Sequence, residues 1–396
     1  MNPTPHSKLY PIIVVGSGIA GWSTCYHLNK LGIGDFLLIS ERNKLNSTLS
    51  SPGYIAGGMW SNYTRLSHAH GMKSAQKCWK FGDDSYQYTK EFLMAHKGSF
   101  EQCRRLRLLN SQKELEEARV AVKQLKNAGF PSTMVRTDAY ASLTKNILAV
   151  QDDGEKSGLV DPRELLTTLE KKSQTQSVQG KVIAIEHDDV GVKVFLADGS
   201  CYLCEMLVLA CHLGIQKLLP ELESALVPVS DQWSTWSWQG ISADSNCEKT
   251  SPIWKQSGLV FSINHALEWG VTGGKGKFQA GGCRYRRALA GIGQVEMQFK
   301  KDINIFLQKK LETYFDWKIT QVGSTRGAFY DIFPCDELPL IGPMYGNGRI
   351  LVATGFMGLG LSYGLYAGKC LGDLIATGAC NELPRLFWPE RLRALS

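Results

Sequence analysis

The chain reads IIVVGSGIAG at residues 12–21, an apolar run that leads directly into a G-x-G-x-x-G turn. The apolar run predicts a buried strand, and the turn after it is typical of dinucleotide-binding folds. In that pattern Gly16 permits the tight turn, Gly18 lets backbone amides approach a pyrophosphate, and Gly21 lets the following helix pack closely on the strand. The N-terminus of that helix then faces the phosphates and stabilises their charge.

A helix and a second strand are predicted to follow this turn. Apolar residues at helical spacing predict a helix that begins after Gly18 and ends before Gly32. The second apolar strand, residues 36–39, leads to Glu41, which lies about 20 residues beyond Gly21, where a ribose hydroxyl needs an acceptor. Because a carboxylate there would repel a 2′-phosphate, the pattern argues against NADP.

Composition limits the classes of protein to which the chain can belong. Its 396 residues are 43% hydrophobic and 20% charged, which is typical of a globular protein of two or three domains. No apolar run approaches the ~18 residues of a membrane span, and the polar N-terminus does not resemble an export signal. Eleven cysteines without a disulfide framework predict reduced thiols and a cytoplasmic location. The net charge is +7, but the lysines do not cluster into a stripe, so no nucleic-acid partner is expected.

The middle of the chain contains a small-residue segment, a charged segment and a β-rich segment. Residues 50–58 are rich in small residues, so that their backbone could lie against a flat ligand near Gly57 and Gly58. The charged segment from about residue 73 to 125 predicts a helical region with a solvated face. Residues 232–299 predict a β-rich, aromatic region.

A second glycine-rich turn lies near the end of the chain. Residues 349–354 predict a strand, 355–360 read GFMGLG, and a helix is predicted to follow through Ile375. Two strand-to-helix turns so far apart in sequence suit one long cofactor, with its diphosphate at the first turn and a redox ring at the second. Because nicotinamide dehydrogenases need only the first turn, the pair favours FAD.

With these motifs in place, the whole chain resembles the D-amino-acid-oxidase-like FAD oxidoreductases, which include glycine oxidase and monomeric sarcosine oxidase. The matching segments are Gly16–Gly21, Glu41-Arg42, Val160-Asp161-Pro162, Val182, Gly281-Gly282, Asp336–Pro343 and Ala353–Gly360. The resemblance implies an α/β fold with a discontinuous Rossmann-like FAD-binding domain of residues 1–80, 150–225 and 320–396. It also implies an α+β substrate domain of residues 81–149 and 226–319 with a mostly antiparallel sheet.

The resemblance also implies which residues hold FAD. It places the ADP half against Gly16, Ser17, Gly18, Ile19, Ala20, Gly21, Glu41 and Arg42. It places the rest of the cofactor against Gly57, Gly58, Val182, Ala210, Gly355, Met357, Gly358, Leu359, Gly360 and Leu361, with the Val182 backbone on the adenine. Independently of the family, free amides at the helix start near Leu359 would stabilise negative charge on the flavin ring.

The departures from the family pattern bear on the substrate. Where amino-acid oxidases of this group carry an arginine that clamps the substrate carboxylate, this chain has Asp331. A carboxylate there would repel a free carboxylate and could hold an ammonium or an indole N–H instead. Arg326 could replace the missing arginine. No cysteine stands where sarcosine oxidases attach flavin covalently, and Cys335 is offset from that position, so non-covalent FAD is expected.

Several other residues are candidates for a metal site or a docking surface. Cys201 and Cys204 lack a partner pair, and His68 and His70 lack a third ligand, so no metal site is predicted. The tryptophans and arginines around residues 233–238 and 284–287 predict either sheet packing or a docking surface for another protein.

These observations leave three functions open. The first is an FAD-dependent oxidase of a small amine or amino acid with O2 as electron acceptor, whose substrate pocket contains Asp331, Arg326, Arg284 and Tyr285. The second is a flavoprotein that oxidises a tryptophan of a partner protein, as in tryptophylquinone maturation. The third is a non-enzymatic flavin-bearing assembly subunit.

Overall fold

The computed structural model describes residues 5–41, 47–140, 143–239, 258–272, 277–295, 298–316, 318–322 and 328–394. Its strands are β1 Pro5–Val15, β2 Phe36–Ser40, β3 Tyr54–Ala56, β4 Phe100–Leu109, β5 Thr133–Val135, β6 Ala149–Asp152, β7 Ser157–Val160, β8 Gln176–Gln179, β9 Val182–His187, β10 Val192–Leu196, β11 Cys201–Leu209, β12 Leu226–Gln239, β13 Leu259–Ile263, β14 Glu268–Thr272, β15 Lys277–Gly282, β16 Lys318–Gln321, β17 Ala328–Pro334, β18 Leu340–Met344 and β19 Asn347–Thr354. Its α-helices are α1 Ile19–Lys30, α2 Tyr63–His70, α3 Met72–Ala95, α4 Gln112–Asn127, α5 Pro162–Lys172, α6 Ile215–Leu218, α7 Lys301–Tyr314 and α8 Gly360–Thr377.

The first sheet is built around parallel strands in the order β19-β11-β1-β2-β8. The antiparallel strands β18 and β10 pair with β19 and β11. In β1, Ile12 and Val14 pack into the core that contains α1 and α8, whereas Ile13 and Val15 pack into the core on the opposite face. Because both faces are covered, β1 reads as a continuous apolar run rather than as an alternating pattern.

The second sheet has the order β16-β12-β15-β14-β13-β4-β6-β5, and β17 pairs with the first half of β12. Among its described strand pairs only β4 and β13 run parallel. Its core packs against α7 through Ile303, Leu307 and Leu311. The predicted fold class, an α/β structure with a second and mostly antiparallel sheet, is thereby confirmed. The residue boundaries of the two predicted domains stay a prediction.

The charged segment 73–125 was predicted to be helical, and this is wrong for its centre. The strand β4 separates α3 from α4, and its Leu106 and Leu108 are buried in the core of the second sheet. Arg105 and Arg107 alternate with these leucines and are held by the protein, since each donates to the Met59 carbonyl, at 2.9 and 3.4 Å. The alternation of leucine and arginine is a strand pattern. Because arginine side chains are usually solvated, the charged residues by themselves indicate the exposed face of a helix instead.

No helix in the part of the chain that the structure describes is both long enough and apolar enough to cross a membrane.

The helices α1 and α8 pack side by side because α8 carries glycine at every fourth position. A Cβ atom placed on Gly364 would lie 2.4 Å from Cγ2 of Ile19, and one on Gly368 would lie 2.5 Å from Cβ of Ser23. The Ser23 hydroxyl donates a hydrogen bond of 2.5 Å to the Leu365 carbonyl. This close approach brings the N-termini of the two helices to the same side of the first sheet.

A graded pair of substitutions tests this packing. Gly368→Ala is expected to lower the free energy of unfolding by about 1–3 kcal/mol, because its Cβ would also lie 2.6 Å from the Thr24 backbone nitrogen. Gly372→Ala is expected to be nearly neutral, since its Cβ would meet His27 at 3.1 Å and alanine favours the helix by about 1 kcal/mol. Urea unfolding of both variants measures the difference, and equal effects would contradict it.

Candidate active site

A cavity of about 1000 Å³ lies where the parallel strands of the first sheet end and the second sheet begins. Its wall contains the residues that follow β1, β2, β11 and β19, together with parts of β12 and β14. Ligands of open α/β sheets bind at the carboxyl ends of the strands. The volume is at the upper end of the range for small-molecule sites, so it suits a cofactor together with a substrate.

The first glycine-rich turn forms one end of this cavity. Gly16 has φ 111°, and a Cβ on it would lie 2.3 Å from the Ala210 carbonyl oxygen. A Cβ on Gly21 would lie 1.8 Å from the Gly16 carbonyl oxygen, whereas one on Gly18 would meet nothing closer than 3.6 Å, the Thr48 hydroxyl. The first and third glycines thus serve packing, and the second leaves open space in front of the backbone.

The second glycine-rich turn forms another part of the wall. The Thr354 hydroxyl is buried there and has no hydrogen-bond partner among the described residues. A buried group left in this state costs about 1–3 kcal/mol, which a bound ligand with a polar ring would offset. Gly360 begins α8 and Ile19 begins α1, and the residue that precedes each helix supplies no side-chain cap. Two helix N-termini on one cavity fit a long anionic cofactor such as FAD.

Most of the predicted cofactor residues lie on this cavity wall. They are Gly16, Ser17, Gly18, Ile19, Ala20, Glu41, Val182, Ala210, Gly355, Gly358, Gly360 and Leu361. Of the predicted substrate residues, Arg284 also lies on the wall. The structure therefore brings the two ends of the sequence together around one cavity.

Other predicted cofactor residues lie behind the wall. Gly57 and Gly58 pack against α3 instead, since a Cβ on them would lie 2.6 Å from Asp83 and from Trp79, respectively. Met357 and Leu359 are buried in the core between the first sheet and α8, and Gly21 packs on β1. These residues pack behind the turns and do not line the cavity.

The predicted substrate residues are only partly brought together. Tyr285 lies off the cavity and donates a hydrogen bond of 2.5 Å to Glu268. The backbone of Asp331 pairs with Val229 across β12 and β17. Arg326, like the predicted cofactor residue Arg42, lies outside the described residues.

A carboxylate that the sequence did not single out stands on the cavity wall. Asp231 follows Val229 by two residues on β12, and both line the cavity, as strand alternation requires. Burial raises the pKa of Asp231 to about 6, although the Gln232 N–H, the charge of Arg284 and a hydrogen bond to Trp269 favour the ionised form. The sequence V-P-V-S-D at residues 227–231 of β12 places Val229 and Asp231 on one face of the strand. Which face of the strand meets the cavity depends on the tertiary structure.

Aromatic side chains line the same cavity as this carboxylate. Tyr54, Trp60, Trp269 and Phe356 line the same cavity, and the rings of Tyr54 and Trp269 lie 5.9 Å apart. A cavity wall that combines aromatic rings with an acid and an arginine is suited to a small organic cation that also carries a polar group.

Two further wall residues were missed. The Thr48 hydroxyl accepts a hydrogen bond of 3.2 Å from the Ile19 backbone N–H at the start of α1. His212 also lines the cavity and has φ 52°, a left-handed conformation that glycine adopts without cost. Burial lowers the pKa of His212 to about 4, so its imidazole is neutral at pH 7.

The aromatic and basic residues of the second sheet are largely internal. Trp233 and Trp236 are buried, and the Trp233 indole donates a hydrogen bond of 3.1 Å to the Ser50 carbonyl. The Arg287 side chain is also buried and donates 2.7 Å to Gln232. These contacts favour sheet packing over a docking surface.

The chain belongs to the FAD dependent oxidoreductase (DAO) family, whose family model matches residues 11–374. The family resemblance seen in the sequence is thus confirmed.

Among individual proteins, the chain is 26% identical over 219 residues to 4-methylaminobutanoate oxidase (formaldehyde-forming) of Paenarthrobacter nicotinovorans. The matched segment covers 52% of this chain and 25% of that protein. The chain therefore spans about a quarter of the length of this curated relative.

The fold is also that of solved oxidoreductases. The TM-score is 0.73 to L-proline dehydrogenase from P. horikoshii, with 15% identity over 98% of this chain and 99% of that one. It is 0.72 to glycine oxidase from Geobacillus kaustophilus, with 13% identity over 96% and 98%. At these identities the likeness shows the fold alone.

Proposed function

We propose that the protein oxidises a small amine or amino acid at the carbon next to nitrogen, with non-covalently bound FAD and with O2 as electron acceptor. The observation that carries this proposal is Asp231, a half-buried carboxylate on the wall of a cavity with aromatic lining, with Arg284 beside it. An ionised carboxylate in such a place binds an ammonium group through charge-assisted hydrogen bonds. The similarity to 4-methylaminobutanoate oxidase supports an amine as substrate.

The residues of the two turns would hold the cofactor. The amides at the start of α1 would contact its diphosphate, Glu41 its ribose, and the start of α8 the polar edge of its ring. Bound FAD would supply the two-electron acceptor for oxidation of a C–N bond.

The protein's own groups would orient the substrate. Asp231 would hold the amine nitrogen and accept a proton from it, and Arg284 would hold an acidic group of the substrate. Tyr54, Trp60 and Trp269 would exclude water from the carbon between them, so that the reacting geometry is maintained. The roles predicted for Asp331 and Arg326 remain part of this proposal.

The finer parts of the proposal have separate support. Cys335 does not line the cavity, which supports non-covalent FAD. The ten cysteines in the described residues are all free thiols, which supports a reducing, cytoplasmic location. Because Trp233, Trp236 and Arg287 are buried, we do not extend the proposal to a tryptophan of a partner protein.

Anaerobic titration of the purified flavoprotein tests the reaction. A panel of small amines and amino acids is expected to contain compounds that bleach the flavin absorbance, and air is expected to restore the colour with release of hydrogen peroxide. If no compound bleaches the flavin, the substrate class is wrong. If colour returns only with an artificial acceptor, the assignment of O2 is wrong.

A further inference from the structure

A second, smaller cavity adjoins the first. It has a volume of about 200 Å³, and four residues, Trp60, Ala266, Leu267 and Arg284, line both cavities. We call this smaller space the side cavity. Asp231 lines only the large cavity, and Arg107 lines only the side cavity. The nitrogen site proposed above therefore lies in the large cavity, and Arg107 lies in the adjoining side cavity beyond the four shared residues.

The side cavity contains charged groups of both signs, but its acids are already engaged. Glu117 accepts three hydrogen bonds from Arg65, at 3.1, 3.4 and 3.0 Å. Glu114 accepts hydrogen bonds from the His265 backbone at 2.7 Å and from Ser111 at 3.2 Å. The Ser61 hydroxyl donates 2.6 Å to Glu337. Each carboxylate thus has donors from the protein.

The Arg107 guanidinium has more N–H groups than hydrogen-bond partners in the described part of the chain. Its side chain is only 12% exposed, and its nearest carboxylate, Asp153, lies 3.5 Å from Nε. Among the described residues Nε has no partner within hydrogen-bond geometry. Burial lowers the pKa of Arg107 to about 10, since a buried cation without full compensation is unfavourable. An anion in the side cavity would supply that compensation.

We propose that the side cavity binds an acidic group of the substrate. This inference rests on the proposed function and narrows its substrate class. A molecule that reaches Asp231 with its nitrogen and the side cavity with its carboxylate has several bonds between the two groups. The preferred substrates are then ω-amino acids or related amines with a distal acid, rather than simple amines or α-amino acids.

Calorimetry on the flavin-loaded protein tests the acid site without any turnover. Pentanoate is expected to bind, and pentan-1-ol of equal chain length is not. Ser262, which lines the side cavity, is replaced by leucine to fill the space without removing a charge. Ser262→Leu and, independently, Arg107→Gln are expected to weaken pentanoate binding at least about 10-fold. The matched control is Ser177→Leu, at an exposed position on β8, which is expected to bind as the parent does.

Three five-carbon amines test the substrate class. 5-Aminopentanoate is expected to reduce the flavin with a Kd at least about 10-fold lower than pentan-1-amine or 2-aminopentanoate. Ser262→Leu is expected to remove this advantage. Failure of pentanoate to bind the parent, or equal binding by Ser262→Leu, overturns the inference even where amines reduce the flavin. Failure of every amine to reduce the flavin overturns the proposed function even where pentanoate binds as expected.

Discussion

The Asp231→Asn variant is expected to reduce flavin with amines about 10- to 100-fold less efficiently than the parent at pH 8, because a charge-assisted hydrogen bond to the substrate nitrogen is lost. In the parent, kcat/KM is expected to fall as the pH drops through about 6, where the Asp231 carboxylate takes up a proton. The Asn variant lacks this limb of the profile. Stopped-flow reduction from pH 5 to 9 measures both effects.

The same substitution is expected to stabilise the fold. Burial raises the pKa of Asp231 to about 6, above the value of about 3.9 for an unfolded aspartate. Its ionisation therefore costs folding free energy as the pH rises from about 4 to 6, and the whole cost persists above pH 6. Asp231→Asn is expected to be more stable above pH 6, by at most about 3 kcal/mol, and to gain nothing below pH 4.

A surface aspartate provides the control for both measurements. The Asp138 side chain is 65% exposed and pairs with Arg136. Asp138→Asn is expected to change neither the pH profile nor the melting temperature. If Asp231→Asn reduces flavin as fast as the parent, the carboxylate does not hold the substrate nitrogen. If its stability gain is independent of pH, the cause is not the ionisation of Asp231.

Gly21→Val is expected to yield protein that retains no FAD after gel filtration. The added Cβ would lie 1.8 Å from the Gly16 carbonyl oxygen, so α1 must move away from β1 and carry its N-terminal amides with it. Overpacking of this kind costs about 1–3 kcal/mol or more, so the melting temperature should fall as well. The ratio of flavin to protein absorbance and a thermal melt measure the two losses.

Gly34→Ala is the matched control, since a Cβ at Gly34 meets no atom within 4 Å. It is expected to bind FAD as the parent does. A yellow Gly21→Val protein with normal stability would show that the contact between Gly21 and Gly16 does not position the cofactor amides.

Sequence patterns were most informative where structure is local. The strand, turn and helix at residues 12–21 and those around 349–375 were predicted from apolar spacing and glycine positions, because both signals act between near neighbours in the chain. The same local signal failed at residues 100–109, where alternating arginine and leucine was read as part of a helix. Arginine is compatible with either structure, and only the carbonyl of Met59 and the carboxylate of Asp153 explain why these arginines are internal.

The amino-acid sequence alone was sufficient for the fold class, the family and the FAD turns, since their glycines and apolar runs are dictated by backbone sterics within a few residues. The position of Asp231 on the cavity wall, and the pairing of the large cavity with the side cavity, came only from the tertiary structure. Both depend on which face of β12 meets the first sheet and on how the β13–β14 hairpin lies beside β4. Those contacts join residues far apart in sequence, and their free energy comes from burial that no local pattern records.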